Sequence, residues 1–158
     1  MRWETESNFL RACWLDRLEA RCLFVRDVGW KEGRLYVFVR KIVIKGRVLG
    51  GERVVPVVPG REHAVLRMIE GRDPEERVFT HLPRRREFCT LRRQYGQGLY
   101  RSSAPGRKLP APNKRHLSSP DDYDEAAAKE VAKALGRSDL DIDHVVRFSI
   151  CGRNATPK

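Results

Sequence analysis

The chain has 158 residues, 41% of them hydrophobic and 34% charged, and a mass of 18.3 kDa, which fits a single soluble domain over 1–158. No apolar run approaches the roughly 20 residues that cross a bilayer, and the opening "MRWETESNFLRACWLDRL" mixes acids with bases, so an intracellular protein is expected. A net charge of +11 and a pI near 10.0 self-repel and call for an anionic partner.

Residues 8 to 23 read as a first helix, because Phe9, Leu10, Cys13, Trp14, Leu18 and Cys22 recur at three- and four-residue steps. The period then changes. In "RLYVFVR" Leu35, Val37 and Val39 fall on one face and Tyr36 and Phe38 on the other, which predicts a strand. "ERVVPVV" follows the Gly50, Gly51 turn as a second strand, placed at an edge by Pro56. Between them "KIVIKGRVLGGER" reads as a basic hairpin. A short helix over 62–71 carries Ala64, Val65, Met68 and Ile69, and "RVFTHL" crosses back.

"FCTLRRQYGQGLYR" comes next, over 88–101. Leu91, Tyr95 and Leu99 stand at i, i+4 and i+8, a single helical stripe that predicts core. Arg92 lies beside that stripe, where its stem can pack while its planar fork projects. From Arg84 to Arg115 there are ten basic residues (Arg84, Arg85, Arg86, Arg92, Arg93, Arg101, Arg107, Lys108, Lys114, Arg115) against Glu87 alone, a net of +9. A charge run is often a solvated face; this imbalance predicts a nucleic-acid surface.

Residues 102–119 form a basic, Pro-rich stretch expected to lack regular structure. Ser119, Pro120 and Asp122 read as the start of a further helix running through "AAAKEVAKAL" to Gly136, and Ser138 and Asp141 as the start of a last one over about 139–149, before a flexible tail at 151–158. Four scattered cysteines and four histidines show no metal-ligand spacing, so neither a metal nor another cofactor is expected. The fold class expected is α+β, mostly helical, with a small antiparallel sheet near the N-terminal third.

In this order the sequence resembles the catalytic domain of the tyrosine recombinases, the phage-integrase family, over roughly residues 10–150. "LEARCLFVRDV" is similar to the family's segment leading from its first catalytic helix into the sheet, and "GGERVVPVVPG" to a strand of its hairpin. "FCTLRRQYGQGLY" is similar to its His-x-x-Arg helix, and "VAKALGRSDLDIDHVVRFSI" to its Leu-Gly-His segment and nucleophile helix. The resemblance implies an activity in DNA integration and strand exchange. In that chemistry a tyrosine attacks a DNA phosphate, arginines stabilise the transition state, and a hairpin lysine protonates the leaving oxygen.

Residue by residue, the resemblance places the second arginine at Arg92 and the hairpin lysine at Lys45, with Lys41 as substitute and an exposed turn lysine as the plain alternative. The first arginine falls on Asp16, with Arg17 beside it but about 100° away around the helix. The two histidine positions fall on Cys89 and Arg137. No tyrosine follows Gly136, and the nucleophile position falls near Phe148 or Ser149.

The expectation is therefore a domain associated with site-specific DNA recombination, mobile-element integration in origin, that binds DNA with an impaired catalytic centre. Its expected partners are double-stranded DNA and further copies of the chain on that DNA, with no membrane, in a bacterial cytoplasm or nucleoid. Arg84, Arg85, Arg86, Arg93, Arg107, Lys108, Lys114 and Arg115 are the expected phosphate contacts. The alternatives are a non-catalytic basic DNA-binding regulator and an RNA-associated protein. Against the latter, the chain has no KH-type Gly-x-x-Gly loop and no RNP-like aromatic motif.

Overall fold

The computed structural model describes residues 3–110, 122–136 and 142–151. The fold is α+β with a small antiparallel sheet. It divides into two compact units, Met1–Arg92 and Arg93–Lys158.

In the first unit the helix expected over 8–23 is two helices, α1 (Glu4–Ala12) and α2 (Arg17–Cys22). The break has a local cause. Cys13 turns extended, and Asp16 restarts the helix as an N-cap: its carboxylate accepts from Glu19 N at 2.8 Å while the Glu19 carboxylate accepts from Asp16 N at 2.9 Å. This reciprocal box satisfies two amides that the helix start would otherwise leave open. The apolar period runs across the break because Phe9, Leu10 and Cys13 are buried and Trp14, Leu18 and Cys22 half-buried whichever conformation carries them.

Strands β1 (Val28–Lys31), β2 (Arg34–Val39), β3 (Ile42–Ile44), β4 (Arg47–Gly50) and β5 (Arg53–Pro56) follow. Sheet order is β1-β2-β5, all antiparallel, with β3 and β4 pairing separately. Leu35, Val37, Val39 and Val55 are buried and Phe38 is exposed, so the alternation and the edge position of Pro56 hold. β1 was not anticipated. Its turn, Glu32-Gly33, and the hairpin turn, Lys45-Gly46, both have positive φ at both residues (52° and 73°; 50° and 75°), as two-residue turns of the I′ kind require.

Helix α3 (Glu62–Ile69) buries Val65, and Phe9 meets Phe79 edge-on at 4.9 Å. Helix α4 (Arg85–Ser103) carries Phe88, Leu91, Tyr95, Leu99 and Tyr100 as buried residues, so the expected stripe is core.

The second unit contains the end of α4, then α5 (Glu125–Ala134) and α6 (Ile142–Val145), which widens into a π-turn at Val146–Ile150. The expected start of α5 at Ser119 and Pro120 lies outside the described residues. Its cap is Asp124, not Ser119, and Asp122, expected as the capping-box acid, precedes the helix: the Asp124 carboxylate accepts from Ala127 N at 2.9 Å, and its own amide donates to the Tyr100 hydroxyl at 2.7 Å. Gly136, at φ 72°, closes the helix as a glycine just past the C-cap does. An ideal Cβ on Gly96 would lie 2.4 Å from the Ser149 carbonyl oxygen, so α4 and the last turn approach through a glycine. Ser138, Asp141 and the tail over 152–158 lie outside the described residues.

Candidate nucleic-acid interface

Arg92 sits on α4 beside buried Leu91, partly exposed, and its guanidinium carbon stands 5.9 Å from the centre of the Trp14 ring. Arg53 stands at the same distance from that ring. Glu19 fixes Arg53 at two points: Arg53 Nε and Nη2 donate to its carboxylate at 2.9 and 2.6 Å. Glu19 is 9% exposed, and a charge so buried persists because a planar, bidentate partner matches it. The result is an indole with two guanidinium groups within about 6 Å of its centre. Arg92 is the one that lies on the helix with the exposed basic turn.

That turn begins with Arg84, Arg85 and Arg86, all exposed. Arg85, Cys89 and Arg92 fall at i, i+4 and i+7 and so share one flank of α4. Cys89 is exposed. A helix flank with cations at both ends and a small side chain between them can follow a phosphate backbone.

Arg17 is occupied otherwise. Its Nη1 donates to the Pro83 carbonyl at 2.6 Å and its guanidinium stands 5.3 Å over the Phe88 ring, so it ties α2 to the start of α4. Asp16, where the resemblance would have an arginine, is the cap of α2. Lys45 is exposed at the tip of the β3–β4 hairpin in the left-handed region, a conformation glycine and asparagine adopt more readily.

In the second unit, Arg93 Nε donates to the Phe148 carbonyl at 3.3 Å, and Arg107 and Lys108 are exposed. Ser149 is 1% exposed. Tyr95 and Tyr100 are fully buried, Tyr36 lies in β2, and Tyr123 precedes α5. Arg137, Lys114 and Arg115 lie outside the described residues.

Burial drives the thiol chemistry. It pushes the Cys13 thiol far above its usual range, with Arg53 lowering it and Glu19 raising it to smaller extents. Cys151 is raised by burial as well, opposed by Arg147 and Arg93. No group of three or more His, Cys, Asp or Glu able to hold a metal ion occurs among the described residues. No helix among them is long and apolar enough to cross a membrane.

Sequence reasoning missed the roles of Trp14 and Arg53. Trp14 matched the apolar period of a helix that in fact ends before it, and Arg53 sits far from Glu19 in sequence with nothing local to pair them. The described fold and site define an α+β protein with a basic helix flank anchored on an aromatic residue. The chain matches no known protein family and, at a significant level, no curated protein.

Proposed function

We propose that the chain is a DNA-binding domain of tyrosine-recombinase type, associated with site-specific recombination and integration, that grips duplex DNA without cleaving it. The observation that carries this reading is the setting of Arg92: a guanidinium against Trp14, on a helix whose first turn exposes Arg84, Arg85 and Arg86. Phosphate contacts of this kind hold a protein in register on a duplex without reading its sequence. The order of elements supports the same reading, with a capped short helix, an antiparallel sheet, a lysine-tipped hairpin and then the arginine helix.

Loss of cleavage follows from the side chains at the expected catalytic positions. Asp16 is committed to capping, Cys89 replaces a proton-shuttling imidazole, and Ser149 is buried where a nucleophile must meet a phosphate. Incubation with a nicked suicide duplex tests this: duplex binding with no covalent 3′-phosphoprotein is expected. A covalent adduct would overturn the non-cleaving reading, and absence of duplex binding would overturn the whole.

A further inference from the structure

Phe38 stands on the face of β2 opposite the buried Leu35, Val37 and Val39, and is 37% exposed. Directly across the ladder is Val54, 47% exposed. On the other side β1 contributes Gly29, and an ideal Cβ there would lie 3.5 Å from Phe38 Cε2, so the flank of the ring is left clear of a side chain. Two clefts meet at Phe38. One, of about 310 Å³, is bounded by Arg40, Glu52 and Val54; the other, of about 220 Å³, by Phe24, Ile42 and Val43. Arg40 lines both, half of its side chain open to solvent although its Nε donates to Asp27 at 2.5 Å.

The clefts themselves mix charges, with Glu19, Asp27 and Glu52 beside Arg40, Lys41, Arg53 and Arg77, and Asp27 and Glu19 pair with Arg40 and Arg53. The excess is positive in the surrounding chain: from Lys31 to Gly50 there are six basic residues against one acid, Glu32. Lys31, Arg40, Lys41, Lys45 and Arg47 are all exposed. An apolar platform within such a rim suits a polyanion that also presents flat apolar faces. Duplex DNA does not, because its bases are stacked on one another and offer only their edges. A second copy of this face would bring like charge against like.

We propose that the sheet face around Phe38 binds single-stranded DNA, an unpaired base stacking on the Phe38 ring while Arg40 and its basic neighbours hold the flanking phosphates. Deoxyribose is the better fit over ribose. Glu52 is the one carboxylate lining the larger cleft, where Phe38, Val39 and Val54 give an apolar lining that suits the methyl-bearing thymine and the less polar deoxyribose. The larger cleft also includes Arg53, which faces the Trp14 ring that Arg92 faces too, but the Phe38 ring takes no part in the Arg92 setting, and its function does not depend on duplex binding.

The test is anisotropy with a labelled oligothymidylate, an oligouridylate of equal length and a duplex, using the full chain. Oligothymidylate is expected to bind. Phe38→Ala is expected to weaken it roughly tenfold, the effect of losing one base-stacking ring, with Phe38→Trp retaining binding and duplex affinity unchanged by either. Bromodeoxyuridine in the strand should photocrosslink to the peptide containing Phe38. Stronger binding of oligouridylate, displacement of the strand by polyglutamate more readily than by DNA, or equal loss in the Ala and Trp variants would overturn the proposal. Arg92→Ala, by contrast, should weaken the duplex and spare the single strand, so the two surfaces fail or succeed separately.

Discussion

Glu19 and Arg53 form a two-point ion pair across α2 and β5, with side-chain exposures of only 9% and 13%. Removing one partner leaves the other charge buried and uncompensated, so Arg53→Ala is expected to lower the unfolding free energy by about 3 kcal/mol. Urea denaturation measures it. A loss below about 0.5 kcal/mol would place the pair with ordinary surface bridges.

Asp16 gives α2 its start, and Asp16→Ala should cost about 1 kcal/mol, with Asp16→Asn close to neutral. Asp16→Arg, which restores the guanidinium implied by the resemblance, should lose the cap and gain no cleavage. Thermal denaturation and the suicide-substrate assay read the two outcomes.

Gly96 lets α4 come close against the Ser149 backbone of the last turn. Gly96→Ala improves intrinsic helix propensity by about 1 kcal/mol, yet the added methyl would meet a backbone oxygen at 2.4 Å. Net destabilisation of about 1–3 kcal/mol is expected. Gly51→Ala, with open space around it, is the control and should be nearly neutral.

The cysteines should separate by burial. Native alkylation followed by mass spectrometry is expected to modify Cys89 first and to leave Cys13 and Cys151 unmodified until unfolding. For Cys13 the folded pKa is raised above the unfolded value, near 9.0. Its stabilising contribution is therefore intact below pH 9 and lost as pH rises further, by up to about 1.4 kcal/mol per pH unit. Cys13→Ala should show a flatter alkaline limb in a plot of stability against pH.

The α4 stripe and the strand alternation of β2 were legible because each is periodic over its whole element. The break between α1 and α2 was not. The helical period continued through Cys13, and the capping box of Asp16 and Glu19 was read only as part of a family pattern. β1 was hidden by its Glu32-Gly33 turn, which lacks the asparagine or aspartate that usually announces such a hairpin. At the site, Arg92 was placed by its neighbours along one helix. The partnership of Trp14, Glu19 and Arg53 arises from strand pairing and chain crossing, which local spacing does not encode. Alternation puts Phe38 on the face opposite Leu35, Val37 and Val39, but its significance depends on Gly29 and Val54 in the adjoining strands.

The account rests on the basic helix flank as a duplex-DNA grip, and a salt titration of duplex affinity tests it most directly. With six or so phosphates contacted, log affinity against log salt should fall with a slope near about −5. Arg92→Ala should weaken binding more than Arg101→Ala, which removes an exposed charge from the last turn of the same helix. A flat salt response, or equal losses in the two variants, would contradict it.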